Sequence, residues 1–343
     1  MGYDCSSNFI WTGLLVLTFE LMGGASGVSA QTAEEANQKA AAALTAGKLD
    51  AAVSELQASA RRFPDDTHIQ FNLGLALVRK GRLKEAIAPL QKAAEDPGLA
   101  SEAHFLLGAD YFETTDYAKA ARELSGLENS GHSERVLYMI EESNRRTQHI
   151  EKAKAAFHQL ITRYPDSAWT HYLLGTAYED QKQLDKAITE YKLALEKDPT
   201  IPNADFAIGY IYWRQQYTGN AREWLEKEAL KGCHALANYY LGEISRTEGD
   251  LHNAEVRYKR AIKCDPSNGD AHVRLGIVMG DQKRYQGAVF QLKQAIRLQP
   301  NESSAHYHLA SIYKRMGRTA DAAAEYKKVR EIQAAKGPGA DAR

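Results

Sequence analysis

The stretch AWTHYLLGTAYEDQKQLDKAITEYKLALEKDPTI, residues 168–201, decides the fold of this chain. Its apolar residues fall at helical spacing twice over: Tyr172, Leu173 and Leu174 with Tyr178, then Ala187, Tyr191 and Ala194. Outward from Ala187, alanine recurs at Ala153, Ala120, Ala86 and Ala52 on one side and at Ala221, Ala254, Ala288 and Ala322 on the other, in steps of 33 or 34 residues. A fixed period of roughly 20–50 residues is the signature of a solenoid or array copied from one small unit.

Other positions hold the same phase. Twelve residues before the alanine stand Gly74, Gly108, Gly175, Gly209, Gly242 and Gly276, each preceded by Leu or Ile. Four residues after it every copy has a large apolar or aromatic side chain: Leu56, Leu90, Leu124, Phe157, Tyr191, Leu225, Tyr258, Leu292 and Tyr326. Twelve after it stand Pro64, Pro165, Pro199, Pro266 and Pro300. Together these describe a helical hairpin. Glycine and alanine leave little side chain between the paired helices, which then approach closely. Proline stops the second helix and sets the path into the next. Gly47, Gly81, Gly249 and Gly317 mark the turn inside the hairpin. A single hairpin cannot bury its own apolar face, so each unit depends on stacked neighbours.

The Leu-Gly, Ala and Pro positions, with Tyr111, Tyr178, Tyr212 and Tyr313 at a recurrent aromatic place, resemble the tetratricopeptide repeat family. The resemblance covers nine copies: residues 33–66, 67–100, 101–133, 134–167, 168–201, 202–234, 235–268, 269–302 and 303–336. It implies an all-α, right-handed superhelical solenoid of nine helix-turn-helix repeats. Copies 1 and 4 depart most. Lys39 and Ala40 replace Leu-Gly in the first, and Glu141 replaces the small residue after Ile140 in the fourth. A weak first copy suits an exposed cap, and the fourth predicts looser packing or a bend near residues 128–147. Lys231-Gly232-Cys233-His234-Ala235 also faintly resembles the related Sel1-like repeats.

The chain has 343 residues and a formal net charge of −1. A nucleic-acid scaffold needs a basic stripe, so no nucleic-acid partner is expected. Residues 1–30 differ in kind from the rest. Phe9 to Met22 is mostly apolar, small residues follow, and Val28-Ser29-Ala30 suits a signal-peptidase site with cleavage before Gln31. The apolar run is short for a membrane span and contains Glu20, so no stable membrane insertion is expected after cleavage. Asp4 and the lack of Lys or Arg are unusual for such a leader, and an uncleaved anchor or a misassigned start are the alternatives. The expected location is periplasmic or extracellular, and residues 337–343 are expected to form a disordered tail. Cys233 and Cys264 lie near the ends of the second helices of adjacent copies. Either they form a disulfide, which export would permit, or they are two small residues at ordinary helix ends.

The repeats leave no room for a separate catalytic domain, and the chain carries no phosphate loop, nucleophile elbow or metalloprotease helix. No enzyme activity, cofactor or metal is expected. No two of the 11 histidines stand four apart on a helix. His104, His171, His272 and His306 share one repeat position and read as packing residues. Carboxylate pairs such as Glu34-Glu35 and Glu141-Glu142 read as solvated faces.

In the resembled family the first helix of each repeat lines a concave groove, and its fifth position faces inward. Here that position reads Phe71, Phe105, Tyr138, Tyr172, Phe206, Tyr239 and Tyr307, interrupted by Asn37 and Val273. Such a ladder suits the side chains of an extended peptide, because aromatic faces give large contact area at low entropy cost; the same aromatics also serve to pad neighbouring helices. Arg145, Arg146, Trp169, Tyr210, Trp213, Arg214 and Arg246 enrich the middle repeats with hot-spot residue types. Glu142, Glu179, Asp180 and Glu243 lie on the same expected face and offer internal neutralisation. The Lys/Asn/Arg clamp of chaperone-binding relatives is absent: Asn72 has the right type, but Asn37, Ala41, Glu102 and Leu106 occupy its companion places. The reading is an exported, non-catalytic scaffold that binds a peptide or protein segment. The alternative is a module recruiting substrates to a separately encoded envelope enzyme. Self-association through the last helix is a further possibility.

Overall fold

The computed structural model describes residues 28–336, so the body of the leader and the C-terminal tail lie outside the described residues. Eighteen helices follow one another in consecutive pairs among the described residues. They are α1 (Val28–Thr45) with α2 (Leu49–Arg62), α3 (Thr67–Arg79) with α4 (Leu83–Ala93), α5 (Ala100–Glu113) with α6 (Tyr117–Leu124), α7 (Ser133–Arg146) with α8 (Ile150–Arg163), and α9 (Ala168–Asp180) with α10 (Leu184–Lys197). Then come α11 (Ala204–Arg214) with α12 (Thr218–Lys231), α13 (Ala235–Thr247) with α14 (Leu251–Cys264), α15 (Gly269–Asp281) with α16 (Tyr285–Leu298), and α17 (Ser303–Arg315) with α18 (Thr319–Lys336). Helix α1 begins at Val28, ahead of the expected mature terminus at Gln31. The chain divides into two compact units, one ending at Ala204 and the other beginning at Asp205.

The phased residues do what their sizes require. All nine alanines are buried, none more than 5% exposed. A methyl group at Gly74, Gly108, Gly175, Gly209, Gly242 or Gly276 would come within 2.5–2.8 Å of Leu90, Leu124, Tyr191, Leu225, Tyr258 or Leu292 respectively. The absent side chain is therefore the space into which the second helix inserts its large residue. The residues before the five prolines, Phe63, Tyr164, Asp198, Asp265 and Gln299, leave helical geometry with φ between −127° and −143°, as the proline ring demands of its predecessor.

The turn inside each hairpin has its own phase. Gly47, Gly81, Gly249 and Gly317 adopt φ of 70–82°, and Thr115, Gln148, Lys182, Gln216 and Lys283 take the equivalent place at φ of 60–64°. The left-handed residue is thus a property of the hairpin, supplied by glycine in four copies and imposed on side-chain-bearing residues in five.

A second link ties the paired helices. His104 Nδ1 meets Glu123 at 2.8 Å, His171 meets Glu190 at 2.7 Å, His272 meets Gln291 at 2.7 Å and His306 meets Glu325 at 2.6 Å. Each pair is 19 residues apart and joins the first helix of a hairpin to the second. The histidines expected to pack are hydrogen-bonded latches. At the last hairpin, the exposed residues of α18 include Ala323, Ala324, Lys327, Lys328 and Arg330, while Val329 is buried.

Candidate peptide-binding surface

In the first unit the aromatic column is mostly spent on packing. Phe71, Phe105 and Tyr138 are 7%, 1% and 8% exposed. The ring of Phe105 stacks on His132 at 4.1 Å with the Arg135 guanidinium 5.7 Å from its centre. Burial pulls the Arg135 guanidinium down to about 10. Tyr138 stacks on Trp169 at 4.4 Å and meets Tyr172 edge-on at 5.8 Å. Burial first, then the Glu142 carboxylate, pushes the Tyr138 hydroxyl well up. At Phe71, Phe105 and Tyr138 the rings are almost wholly covered by neighbouring residues, the padding use of the column, and little of each is open to a ligand. Tyr172 is half-buried.

Arg145 and Arg146 are internally neutralised. Arg145 bonds Glu142 and lies 3.6 Å from Glu141, and Arg146 bonds Glu142 at 2.7 Å. Glu141 and Glu142 are each 8% exposed, so the solvated face read from the sequence is a buried ion-pair group. Burial, outweighing the pull of Arg145, pushes the Glu141 carboxyl up to about 7. In the six glycine-bearing hairpins the small residue admits a large one 16 positions on. Here Glu141 and Phe157 hold those two places, and both line a cavity of about 180 Å³ between α7, α8 and α9. Asn72, the one clamp-type residue, donates to Asn37 Oδ1 at 3.1 Å.

The second unit gathers its aromatics differently. Phe206, Tyr210 and Trp213 form one stripe of α11, since residues three and four apart share a helix face. Their rings follow one another at 5.9 and 6.0 Å and lie within 16° of parallel. Tyr240 of α13 packs across all three, 6.1 Å from Phe206, 5.1 Å from Tyr210 and 4.6 Å from Trp213. All four are half-buried, and Arg214 is exposed with its guanidinium 5.7 Å from the Tyr210 ring centre. Tyr240 escaped the sequence reading because it stands one place beyond the column; the Tyr239-Tyr240 doublet was its only signal.

Behind this shelf lies a second ionic group. Glu243 is 6% exposed and takes Arg246 at 3.3 Å, Arg274 at 3.2 Å and the Tyr258 hydroxyl. Arg274 also donates to the Tyr239 hydroxyl at 3.3 Å. Burial first, then Glu243, pushes the Tyr258 hydroxyl up. Arg246 and Tyr239 thus belong to an internal network, which meets the shelf where the Tyr239 ring stands edge-on to Tyr240 at 5.2 Å. Tyr307 stands alone among the column residues in being well exposed, at 52%, beside Tyr326 at 5.9 Å. Cys233 and Cys264 form a disulfide, with Cα atoms 5.3 Å apart. His234, next to it, accepts from the Ala237 amide at 3.0 Å to cap α13, and burial holds its imidazole down at about 4.

No group of three or more His, Cys, Asp or Glu is placed to hold a metal ion among the described residues, and no described helix is long and apolar enough to cross a membrane. What the second unit presents is contact area: three near-parallel rings with a fourth tilted across them and a guanidinium at one edge.

Sequence models of the tetratricopeptide repeat match residues 37–100, 143–202 and 303–336, and a further TPR repeat model matches 280–317. Superkiller complex protein 3 of Mus musculus is 28% identical over 142 residues, covering 38% of this chain and 9% of that protein. The Homo sapiens protein of the same name is 24% identical over 264 residues, covering 70% of this chain and 17% of its own length. The chain therefore spans only a small part of these relatives. Among solved structures, the APC/C hetero-tetramer Cut9-Hcn1 superposes with a TM-score of 0.58 at 16% identity, covering 81% of this chain and 56% of the other. Repeat models spanning more than half the residues, and helices paired throughout the described ones, place the chain in the tetratricopeptide repeat family.

Proposed function

We propose that this protein is an exported, non-catalytic scaffold that holds an extended polypeptide segment on the aromatic shelf of its second unit. The family supports a protein-interaction scaffold, and Cut9, of similar fold, stands in a hetero-tetramer with Hcn1. The observation that carries the site is the stack of Phe206, Tyr210, Trp213 and Tyr240, half-buried and edged by the exposed Arg214. Rings locked by mutual stacking offer area without further loss of freedom. A guanidinium beside them suits a carboxylate of the bound segment. The segment it fits is therefore an extended one with apolar or aromatic side chains and an acidic residue. Export is supported by the leader before Gln31 and by the Cys233–Cys264 disulfide, a bond that persists in oxidising compartments.

The site is tested by photo-crosslinking in the native compartment, with a benzophenone amino acid placed at Trp213 and, as control, at the exposed Phe290. Discrete polypeptide adducts are expected at position 213 and not at 290, and Tyr210→Ala should reduce them roughly tenfold. Equal labelling at both positions would remove the shelf from consideration.

A further inference from the structure

We propose that the second helices of the second unit form a docking face for an anionic phospholipid surface. In each hairpin the residues two, six and nine places after the phased alanine share one stripe of the second helix, since they stand four and three apart. In the first unit this stripe carries no well-exposed large apolar side chain among the described residues. In the second unit Leu230 on α12 is 83% exposed, Val256 on α14 42% and Phe290 on α16 58%. These are three of the six large apolar side chains left well exposed among the described residues, and three consecutive hairpins carry one each. Such a concentration of exposed apolar groups marks an interaction surface.

Cations share the stripe. Arg260 and Lys263 follow Val256 by four and seven places, and Arg297 follows Phe290 by seven, with Lys293 beside it. All four are exposed, and none has a carboxylate partner among the described residues. The nearby acids are already engaged. Glu255 of α14 is buried and takes Lys259 and Arg284, each at 2.7 Å, and Asp265 accepts from the Ser267 hydroxyl at 2.6 Å. Helix α16 has no acid at all. On α12 Glu223 holds Lys227 at 2.8 Å, so the uncompensated charge sits on α14 and α16. The near-neutral total of the chain hides it: residues 205–343 hold 22 Lys and Arg against 16 Asp and Glu, whereas residues 31–204 hold 21 against 26.

Unpaired cations call for an anionic partner, and the apolar side chains decide its kind. Each stands on a different helix with charged residues between, so they do not make the contiguous apolar core of a protein interface. A bilayer surface makes no such demand. Single apolar side chains enter its headgroup region while Lys and Arg meet lipid phosphates. A nucleic-acid duplex would use the cations and leave Leu230, Val256 and Phe290 in water. The face belongs to α12, α14 and α16, whereas the aromatic shelf stands on α11 and α13, so neither depends on the other. Lipid at this face adds no polypeptide adduct at position 290.

The test is flotation of the full chain with vesicles of phosphatidylcholine alone and of phosphatidylcholine with phosphatidylglycerol in equal parts. Binding is expected to the second kind and should fall as salt is added. Phe290→Ser should weaken it about tenfold, and Arg260→Gln/Lys263→Gln/Lys293→Gln/Arg297→Gln about a hundredfold. All five positions are exposed, so both variants should melt at the wild-type temperature. Residues 1–30 have no Lys or Arg, so a response to phosphatidylglycerol reads this face and not the leader. No binding to the anionic vesicles, equal binding to both kinds, or binding that neither variant weakens would overturn the proposal. So would tighter binding to a DNA duplex than to the vesicles, unchanged by Phe290→Ser, which would assign the cations to nucleic acid.

Discussion

Asp110, in the last turn of α5, is 1% exposed and neither carboxylate oxygen has a hydrogen-bond partner in the protein. Burial, with a smaller contribution from Glu113, pushes its carboxyl up to about 8. The folded chain therefore holds this proton at neutral pH, whereas the unfolded chain releases it near 3.8. The folded state binds more protons across that window, so the stability associated with Asp110 is full below about pH 4 and is lost as pH rises toward 8. Asp110→Asn removes the ionisable group and keeps the shape. Its urea midpoint should match the wild type at pH 4 and exceed it at pH 7.5, by about 4 kcal/mol in unfolding free energy. A constant offset between the two pH values would show that Asp110 does not titrate in this way. Nothing in the sequence marked this residue, because a single Asp beside a Leu-Gly-Ala run reads as a helix-surface acid until the stacked neighbours cover it.

At the scale of elements, the hairpin was legible and its fastenings were not. The glycine and the large residue 16 positions on are complementary volumes, which a repeat pattern displays directly. The histidine latches needed the second helix in place before their partners could be named. The sequence of Cys233 and Cys264 is compatible with a disulfide or with two helix-end residues, since only the packing of α12, α13 and α14 brings their Cα atoms to 5.3 Å. The bond closes a loop with a sequence separation of 31, for which the loss of unfolded-chain freedom amounts to about 3–4 kcal/mol. A reductant should accordingly lower the melting temperature of the native protein, with Cys233→Ser/Cys264→Ser melting at the reduced value and no longer responding. Two free thiols in the denatured, non-reduced protein would contradict the bond.

For the whole molecule, the described residues form two compact units, five helix pairs in the first and four in the second. Each exceeds the roughly three repeats that a stack needs to bury a continuous core. The sequence pattern runs unbroken through Ala204 and gave no sign of this division, because the phased residues report contacts inside a hairpin and between adjacent ones. The expectation of export belongs to the whole chain. If it is correct, the mature protein isolated from the envelope or medium begins at Gln31. A chain retaining residues 1–30 in the membrane fraction would instead indicate an uncleaved anchor.

The sequence alone determined the helices, their pairing and the places where small residues let them touch, since each of these depends on residues at most about 20 positions apart and recurs with a fixed step. It also listed the residue types of the binding surface. Only the tertiary structure decided which of them face outward. Phe71, Phe105 and Tyr138 share a repeat position with Phe206, yet the first three are covered and Phe206 joins a half-buried cluster with Tyr210, Trp213 and Tyr240. The same holds for Glu141, a departure from the pattern in sequence and a buried acceptor on a cavity wall in space. Exposure is a property of what the neighbouring helices leave uncovered, and a repeat register fixes a residue's direction without fixing the bulk of the side chains opposite.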